Sequence, residues 1–268
     1  MKRVAIIMTV FNRKDVTIRG LQMLLEAIKM TSGYKFEVFL TEDGCTDGTV
    51  EAIQKLFPSI IILHGTGHLY WGGGMNLAWK AALNRGGYDY YIWYNDDAEL
   101  FANALNLLFA PMTMNKGNMI VCGAFRDENG NPSYGGRDQN KNLLAPNGKF
   151  RKVTLMNGNL TLIPHEIVES LGVLDKIFIH IGGDWDYGLR AIRKGIPIVL
   201  TQDYVGITNR HDIKRYEGNL MERWSQMLSV KHNPLIVFRF NIRHFGLLEA
   251  MSTFGSQILL ACFPNLKR

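Results

Sequence analysis

Cysteine is scarce in this chain, and its scarcity excludes two kinds of site. The 268 residues include three cysteines, Cys45, Cys122 and Cys262, which lie far apart and form no CxxC pair. An odd number of isolated cysteines predicts neither a disulfide framework nor a cysteine metal site. We therefore expect a protein of the reducing cytoplasm.

Long apolar runs are also few, and neither of two candidates is typical of an export or membrane segment. Residues 4–11 follow Lys2 and Arg3, but no small-residue cleavage pattern comes after them, so a buried first strand is expected. Residues 245–263 approach the length of a membrane span, yet they include Glu249 and several small polar residues. We expect no span there.

Fingerprints of kinases and dehydrogenases are missing too. The glycine run at residues 72–74 lacks the spacing of a dinucleotide fingerprint and the Lys and Ser or Thr of a phosphate-binding P-loop. What the chain has is 47% hydrophobic residues and a formal net charge of +6. The first suffices for one large domain, with or without an appendage. The second suits nucleic acid, anionic lipid or a phosphate-bearing substrate equally.

The first hundred residues alternate short β-branched runs with longer amphipathic stretches, which predicts a parallel sheet covered by helices. The predicted strands are residues 4–10, 36–40, 59–63 and 88–94. The predicted helices are residues 16–30, 49–56 and 75–83.

The second part of the chain is less regular. Its predicted helices are residues 100–108, 166–171 and 184–194, and its predicted strands are residues 119–125, 153–156, 160–163 and 198–200. Residues 126–148 are rich in Gly, Asn, Asp and Pro, which predicts a long loop or flap. From about residue 215, basic and aromatic residues recur at helical spacing, which predicts a helical extension over residues 216–268.

An acidic cluster, Asn95-Asp96-Asp97, follows the fourth predicted strand directly. Open α/β sheets bind ligands beyond the carboxyl ends of their strands. Neighbouring side chains there point in different directions, so one carboxylate can face an organic ligand while the other holds a hard cation such as Mg²⁺ or Mn²⁺. The cluster alone is also a common turn sequence.

Three further motifs occur in order before this cluster: MTVFNR at residues 8–13, TEDGCTDGT at 41–49 and WGGGMNLAWKAAL at 71–83. Together with the cluster, they resemble the donor-binding half of family 2 glycosyltransferases of the GT-A fold. The resemblance covers about residues 3–211 and is strongest in the first hundred. Two positions depart from the family pattern, since Cys45 replaces the usual serine and Asn95 replaces the first acid.

The resemblance implies an α/β GT-A fold with a mixed, mostly parallel sheet flanked by helices. It implies a catalytic domain over residues 1–215, with a donor-binding half (1–100) and an acceptor and catalytic half (101–215), before the extension. The implied activity is sugar transfer from a nucleotide-diphosphate sugar, UDP- or dTDP-linked, to a saccharide or lipid-linked acceptor in bacterial surface-polysaccharide biosynthesis. The implied cofactor is Mg²⁺ or Mn²⁺, and no nucleic-acid partner is expected.

Carried over position by position, the resemblance assigns site residues. It places the Asp43 carboxylate on a pyrimidine ring N–H, Asp96 on the ribose and Asp97 on the metal. The implied donor-binding residues are Thr9, Phe11, Asn12, Arg13, Asp43, Gly74, Asn76, Asn95 and Asp96. Structural alternatives remain: Phe11 as core, Asp43 and Asp47 as turn residues, and Asn76 as a turn or packing residue.

The sequence GGDWDYGLRAIRKG, residues 182–195, resembles the family motif that carries the catalytic base at a helix start. Asp184 aligns with the base, Gly183 stands in place of the first acid, and Asp186 is a lesser candidate. Asp184 would equally serve as a helix cap. Arg190 either neutralises a nearby acid or lies on the helix surface.

Two features remain open. His211, in NRHD, would complete a metal shell or touch the diphosphate, or would be an ordinary surface residue. The basic and aromatic extension suits anionic lipid headgroups, a dimer contact or a cap on the core.

Two rival functions are weighed against transfer. A sugar-phosphate nucleotidyltransferase would need a glycine-rich basic loop after the first strand, and MTVFNRKD has no such glycine. A non-catalytic relative that binds a glycan or a partner is kept open by Asn95 and Gly183.

Overall fold

A computed structural model describes residues 1–115, 118–209, 216–264 and 266. The described strands are β1 (Lys2–Val10), β2 (Tyr34–Glu42), β3 (Ile61–His64), β4 (Tyr90–Tyr94), β5 (Glu99–Leu100), β6 (Ile120–Arg126), β7 (Pro132–Tyr134), β8 (Arg151–Lys152), β9 (Leu160–Pro164) and β10 (Ile198–Ile207). The described helices are α1 (Lys14–Lys29), α2 (Thr49–Leu56), α3 (Tyr70–Arg85), α4 (Ala104–Asn115), α5 (His165–Leu171), α6 (Gly183–Arg193), α7 (Leu220–Leu228), α8 (Pro234–His244) and α9 (Leu247–Cys262).

The strands form one mixed sheet in the order β3-β2-β1-β4-β9-β6-β10-β5, with β7 beside β6 and β8 beside β10. Pairing is parallel from β3 through β2 and β1 to β4, whereas β9 runs antiparallel between β4 and β6. The carboxyl ends of β1, β2 and β4 therefore meet at one edge, which brings together the segments after Val10, Glu42 and Tyr94.

The sheet is central because its strands are apolar on both faces, as expected of buried parallel strands. In β1, Ile6 and Met8 pack on the side of α1 and α4, while Ala5 and Ile7 pack on the side of α3 and α6. The α/β fold with a mixed, mostly parallel sheet is confirmed.

The sequence predicts that the glycine run at residues 72–74 precedes its helix. The run instead lies inside α3, because this helix begins at Tyr70. A Cβ at Gly72 would collide with the Phe178 carbonyl oxygen, and one at Gly74 with the Thr9 hydroxyl. The glycines thus let α3 approach β1 and the loop before α6 closely.

The predicted strand at residues 153–156 is wrong. The ladder instead uses β8, paired antiparallel with β10, and Val153 and Met156 just after β8 are apolar because they belong to the hydrophobic core on the side of α3 and α6. Val153 fills the space that a Cβ at Gly136 would occupy, and Leu155 makes an isolated bridge with Arg137.

Three boundaries also differ from prediction. Leu100 belongs to β5, paired with Gly206, so the helix predicted from residue 100 starts only at Ala104 and continues past Pro111. The strand β10 continues to Ile207, and its pairing with β6 contains two register shifts. The predicted loop at 126–148 contains β7, paired back onto β6.

The predicted helical extension is present as α7, α8 and α9. An Asn219 and Glu222 capping box starts α7, and Pro234 starts α8. Among the described residues, no helix is long and apolar enough to span a bilayer.

Candidate active site

Asp96 lies buried at the end of β4. Its Oδ2 accepts a hydrogen bond of 2.6 Å from the Thr17 hydroxyl, and its Oδ1 lies 2.5 Å from Nη2 of Arg13. The contact with Arg13 is an ion pair without hydrogen-bond geometry, since Oδ1 has no hydrogen-bond partner among the described residues. Burial raises the pKa of Asp96, and the Arg13 charge only partly opposes it.

Asp97, the next residue, reaches solvent. One-third of its side chain is exposed, and its Oδ2 lies 3.1 Å from Nη1 of Arg13. One guanidinium therefore bridges both carboxylates at the edge of the sheet. Asp97 is the more exposed of the two carboxylates.

A divalent cation fits this edge only with help from a ligand. The described residues hold no cluster of three or more His, Cys, Asp or Glu side chains that would form a metal site. Mg²⁺ and Mn²⁺ nevertheless need only one or two protein carboxylates when phosphate oxygens and water complete the shell. Asp97 meets that requirement, and the other predicted ligand, His211, lies outside the described residues.

Asn95 makes hydrogen bonds to the protein through its side chain and its backbone. Its Oδ1 accepts from the indole N–H of Trp71 at 2.7 Å, and its Nδ2 donates to the Asn159 side chain at 2.8 Å. Its backbone N–H donates to the Asn159 carbonyl at 3.0 Å. Asn95, which stands in place of the family's first acid, thus joins β4 to α3 and to the turn before β9.

Beside Asn95, the Trp71 ring forms one wall of the candidate site, together with Gly158 and Gly183. A Cβ at Gly158 would lie 2.7 Å from the Trp71 ring, and one at Gly183 would lie 3.4 Å from it. The ring therefore packs over the glycine at the position of the missing first acid. No pattern in the sequence indicates that Trp71 contacts Asn95 and Gly158.

Asp184, in the first turn of α6, borders the same wall. Its Oδ1 accepts from the backbone N–H of Trp185 at 2.9 Å. Burial raises the pKa of Asp184 to about 6, although the backbone N–H groups of Trp185 and Gly158 oppose the shift. Since Gly158 also adjoins Trp71, contacts run without a break from Asp184 through Trp71 to Asn95. A carboxyl that titrates near neutral pH suits a general base.

The predicted donor residues before α1 and α2 also lie near this edge. The Phe11 ring is 53% exposed, which excludes the alternative that it belongs to the core. Thr9 is buried against Gly74. Asn12 has a positive φ of 46°, and its Oδ1 accepts from the Thr46 backbone N–H at 2.7 Å, so it joins the two loops.

Asp43 and Asn76 make structural contacts. The Asp43 carboxylate is buried and accepts backbone N–H groups of Gly67, Leu69 and Tyr70 at 2.8 to 2.9 Å, which starts α3. Asn76 donates to the Leu174 carbonyl at 3.0 Å. Contact of either residue with a donor stays a prediction.

Asp186 is unsuited to the role of a base. It is fully buried, and it accepts from Nε of Arg190 at 2.9 Å and from Arg243 and His244 at 2.8 Å each. Burial alone would raise the pKa of Asp186, but hydrogen bonds from His244 and Arg243, together with the charge of Arg190, lower it below its usual value. Arg190 therefore neutralises an acid. The sequence did not reveal the partners Arg243 and His244, because they lie more than fifty residues away.

We expect Arg243→Ala to destabilise the fold by about 2 kcal/mol, because it removes a charged hydrogen-bond donor from a buried carboxylate. Thermal unfolding measures this effect. Arg239→Ala, an exposed arginine on the same helix, is the control and should leave the melting temperature nearly unchanged. Equal melting temperatures for both variants would contradict a role of Arg243 in joining α8 to α6.

Comparison with solved structures gives the fold independently. The chain is similar to the mannosyltransferase PcManGT from Pyrobaculum calidifontis in complex with GDP-Man and Mn²⁺, with a TM-score of 0.54, 17% identity and coverage of 98% of this chain and 76% of that one. It is similar to S. aureus TarS 1–349, with a TM-score of 0.57, 15% identity, and coverage of 97% and 81%. It is also similar to GalNAc-T7 with UDP, GalNAc and Mn²⁺, with a TM-score of 0.58, 12% identity, and coverage of 97% and 57%.

These likenesses confirm the predicted GT-A fold. The chain spans 44% of a longer TarS chain and 57% of GalNAc-T7, so those proteins contain parts that it does not match. A comparison with curated proteins finds no match.

The sequence itself identifies the family. The profile described as "Glycosyl transferase family 2" matches residues 5–178, which include Asp43, Asp96 and Asp97 and end shortly before Asp184. The match extends over more than half of the chain and includes the carboxyl ends of β1, β2 and β4, which meet at the acidic edge. The chain therefore belongs to glycosyl transferase family 2, as its motifs predicted.

Proposed function

We propose that this glycosyltransferase is an inverting enzyme, which moves a sugar from a nucleotide-diphosphate sugar to a hydroxyl acceptor. The observation that carries the proposal is Asp184. Its carboxyl combines a pKa raised to about 6 with a position on the wall that leads to the acidic edge. A non-catalytic relative has no need of a carboxylate tuned in this way.

Asp184 acts as the general base in this proposal. The acceptor oxygen forms a bond to the anomeric carbon while the bond from that carbon to the diphosphate oxygen breaks. The bonding electrons leave with the nucleoside diphosphate, and the hydroxyl proton moves to Asp184. Attack from the face opposite the leaving group inverts the anomeric centre.

The leaving diphosphate lies at Asp97 and Arg13. Asp97 would hold Mg²⁺ or Mn²⁺, and Mn²⁺ accompanies both PcManGT and GalNAc-T7 in their complexes. When bound, the ion supplies positive charge that neutralises a departing diphosphate. Arg13 supplies a fixed positive charge of the chain itself at the same edge. His211 is proposed as a further ligand.

The donor site comprises the residues that the family resemblance assigned. The exposed Phe11 ring offers a flat face to a base, and Asp96 meets the ribose. We propose a UDP- or dTDP-sugar as the donor; PcManGT binds GDP-Man, and TarS has been solved with UDP. The further donor residues are Thr9, Asn12, Arg13, Asp43, Gly74, Asn76 and Asn95.

The remaining proposals concern context. Residues 1–215 form the catalytic domain, and residues 216–268 form an extension. The acceptor is a saccharide or a lipid-linked sugar of bacterial surface-polysaccharide biosynthesis, and the enzyme acts in the cytoplasm, where the extension meets the membrane or a second subunit.

Calorimetry tests the donor site. Purified protein titrated with UDP-, dTDP- and GDP-sugars should bind one of them with Mn²⁺ present and far more weakly with EDTA. Binding that is indifferent to metal would favour a non-catalytic relative, and absence of binding would overturn the proposal.

The rate should depend on pH through Asp184. The base must be ionised, so kcat/KM should fall about tenfold for each pH unit below about 6, as its pKa requires, and should level off above it. A series of initial rates at saturating metal gives the profile. A flat profile between pH 5 and pH 8, a range that brackets this pKa, would contradict the assignment.

A further inference from the structure

The outer surface of the three C-terminal helices is unusually apolar. Thirteen of the eighteen large exposed hydrophobic side chains of the described chain lie between Leu220 and Leu266. Scattered exposed hydrophobics are normal on a soluble protein, but a concentration in one part of the surface marks a contact. The extension therefore carries the candidate contact surface of the described chain.

The apolar side chains follow helical spacing on each helix. On α9 they include Leu248, Met251 and Leu259, at steps of three and eight residues, and Leu248 is 86% exposed. The position between the last two is Gly255, whose Cβ would meet no atom within 4 Å. Because α9 packs against both α7 and α8, it turns its inner face to them and an apolar stripe outward.

The α7 stripe has the same composition. Met221, Trp224 and Leu228 lie on one face at steps of three and four residues, and all three are exposed. Tryptophan with aliphatic neighbours is typical of helices that lie in the headgroup region of a bilayer. The indole suits that region because one edge is polar and the rest apolar.

Charge points to the same partner. Residues 216–268 contain six basic and three acidic residues. Arg239 is exposed within the α8 stripe, between Leu235 and Ile242. Lys231 is exposed just before α8 begins. Neither forms an ion pair with any residue that the structure describes. In a contact with a second copy these cations would have to meet one of the few acids of the extension, such as the exposed Glu222 or Glu249, whereas at a bilayer they reach lipid phosphates while their stems stay in apolar surroundings.

We propose that the outward stripes of α7, α8 and α9 dock this protein onto an anionic lipid surface. The extension is also joined to α6, because Arg193 donates to the Arg243 carbonyl at 2.7 Å and Arg243 to Asp186. Docking therefore fixes the orientation of the α6 helix to the surface. Docking would bring the catalytic half close to a lipid-linked acceptor in the same membrane. Only this consequence rests on the proposed function.

Vesicle flotation with the full chain tests the proposal. The protein should float with vesicles of phosphatidylcholine and phosphatidylglycerol in equal parts, and much less with phosphatidylcholine alone. Leu248→Glu with Met251→Glu should weaken flotation by at least about tenfold. Arg239→Glu should remove the preference for the anionic vesicles.

A matched control places the same two charges elsewhere. Met30 and Met114 are comparably exposed, so Met30→Glu with Met114→Glu should float like the unmodified protein. If the α9 double variant loses helix content by circular dichroism, Leu259→Glu replaces it. Absence of flotation, or equal loss in both double variants, overturns the proposal. The proposal is also overturned if the protein does not float and light scattering detects a dimer that the α9 double variant dissociates. Donor binding by the same samples, measured without vesicles, reports on the proposed function separately.

Discussion

Asp184→Asn is expected to lower kcat by about 10²- to 10⁴-fold, the usual contribution of a general base, while leaving donor affinity nearly intact. Asparagine has the shape of aspartate but accepts no proton. The acceptor hydroxyl would then have to attack while still protonated. Rates at saturating donor, together with donor affinity by calorimetry, separate the two effects.

Asp203→Asn is the control, because Asp203 is an exposed aspartate on β10 outside the site. It should leave kcat unchanged. Preserved turnover in Asp184→Asn would refute the assignment of the base. Loss of donor binding in that variant would instead make Asp184 part of the donor site.

Asp184→Asn should also stabilise the fold at alkaline pH. The pKa of Asp184 is about 6 in the folded protein and lower in the unfolded chain, so its ionisation disfavours folding. This penalty is absent at acid pH, below the unfolded pKa, and complete above about pH 6. Asp184→Asn should therefore raise unfolding free energy by up to roughly 3 kcal/mol at pH 8 and little at pH 4. Denaturant unfolding at the two pH values measures it, and equal effects at both would contradict the pKa shift.

Asp97→Asn has the second largest expected effect. Asp97 is the more exposed carboxylate of the edge and the proposed metal ligand, so its neutralisation should lower kcat/KM by about 10²- to 10³-fold. It should also abolish the difference in donor affinity between Mn²⁺ and EDTA. Asp203→Asn again serves as control. An Asp97→Asn variant that still binds donor more tightly with Mn²⁺ would move the metal site elsewhere.

Much of the sheet was predictable because its strands are short, apolar and set between amphipathic helices. Such a pattern predicts β1 to β4 and places Asp96 and Asp97 at a strand end. The strand predicted at residues 153–156 failed for a physical reason: a buried apolar run in a loop and one in a ladder have the same composition. Strand pairing distinguishes the two cases, and the local periodicity of the sequence does not reveal which segments pair.

The site divides in the same way. Motif order singled out Arg13, Asp97 and Asp184 as candidate site residues, because they belong to short segments with a recognisable spacing. The contacts of Asp186 with Arg243 and His244 could not be predicted, since they join segments more than fifty residues apart. The raised pKa of Asp184 likewise comes from burial in the folded protein.

The stereochemistry of sugar release tests the central claim most directly. Proton NMR can follow the hydrolysis of a panel of UDP-, dTDP- and GDP-sugars with Mn²⁺, before the released sugar equilibrates between its anomers. The proposed mechanism predicts that one donor releases its sugar with inverted anomeric configuration, only when metal is present and not in Asp184→Asn. Release with retained configuration, or unchanged release by that variant, would contradict it.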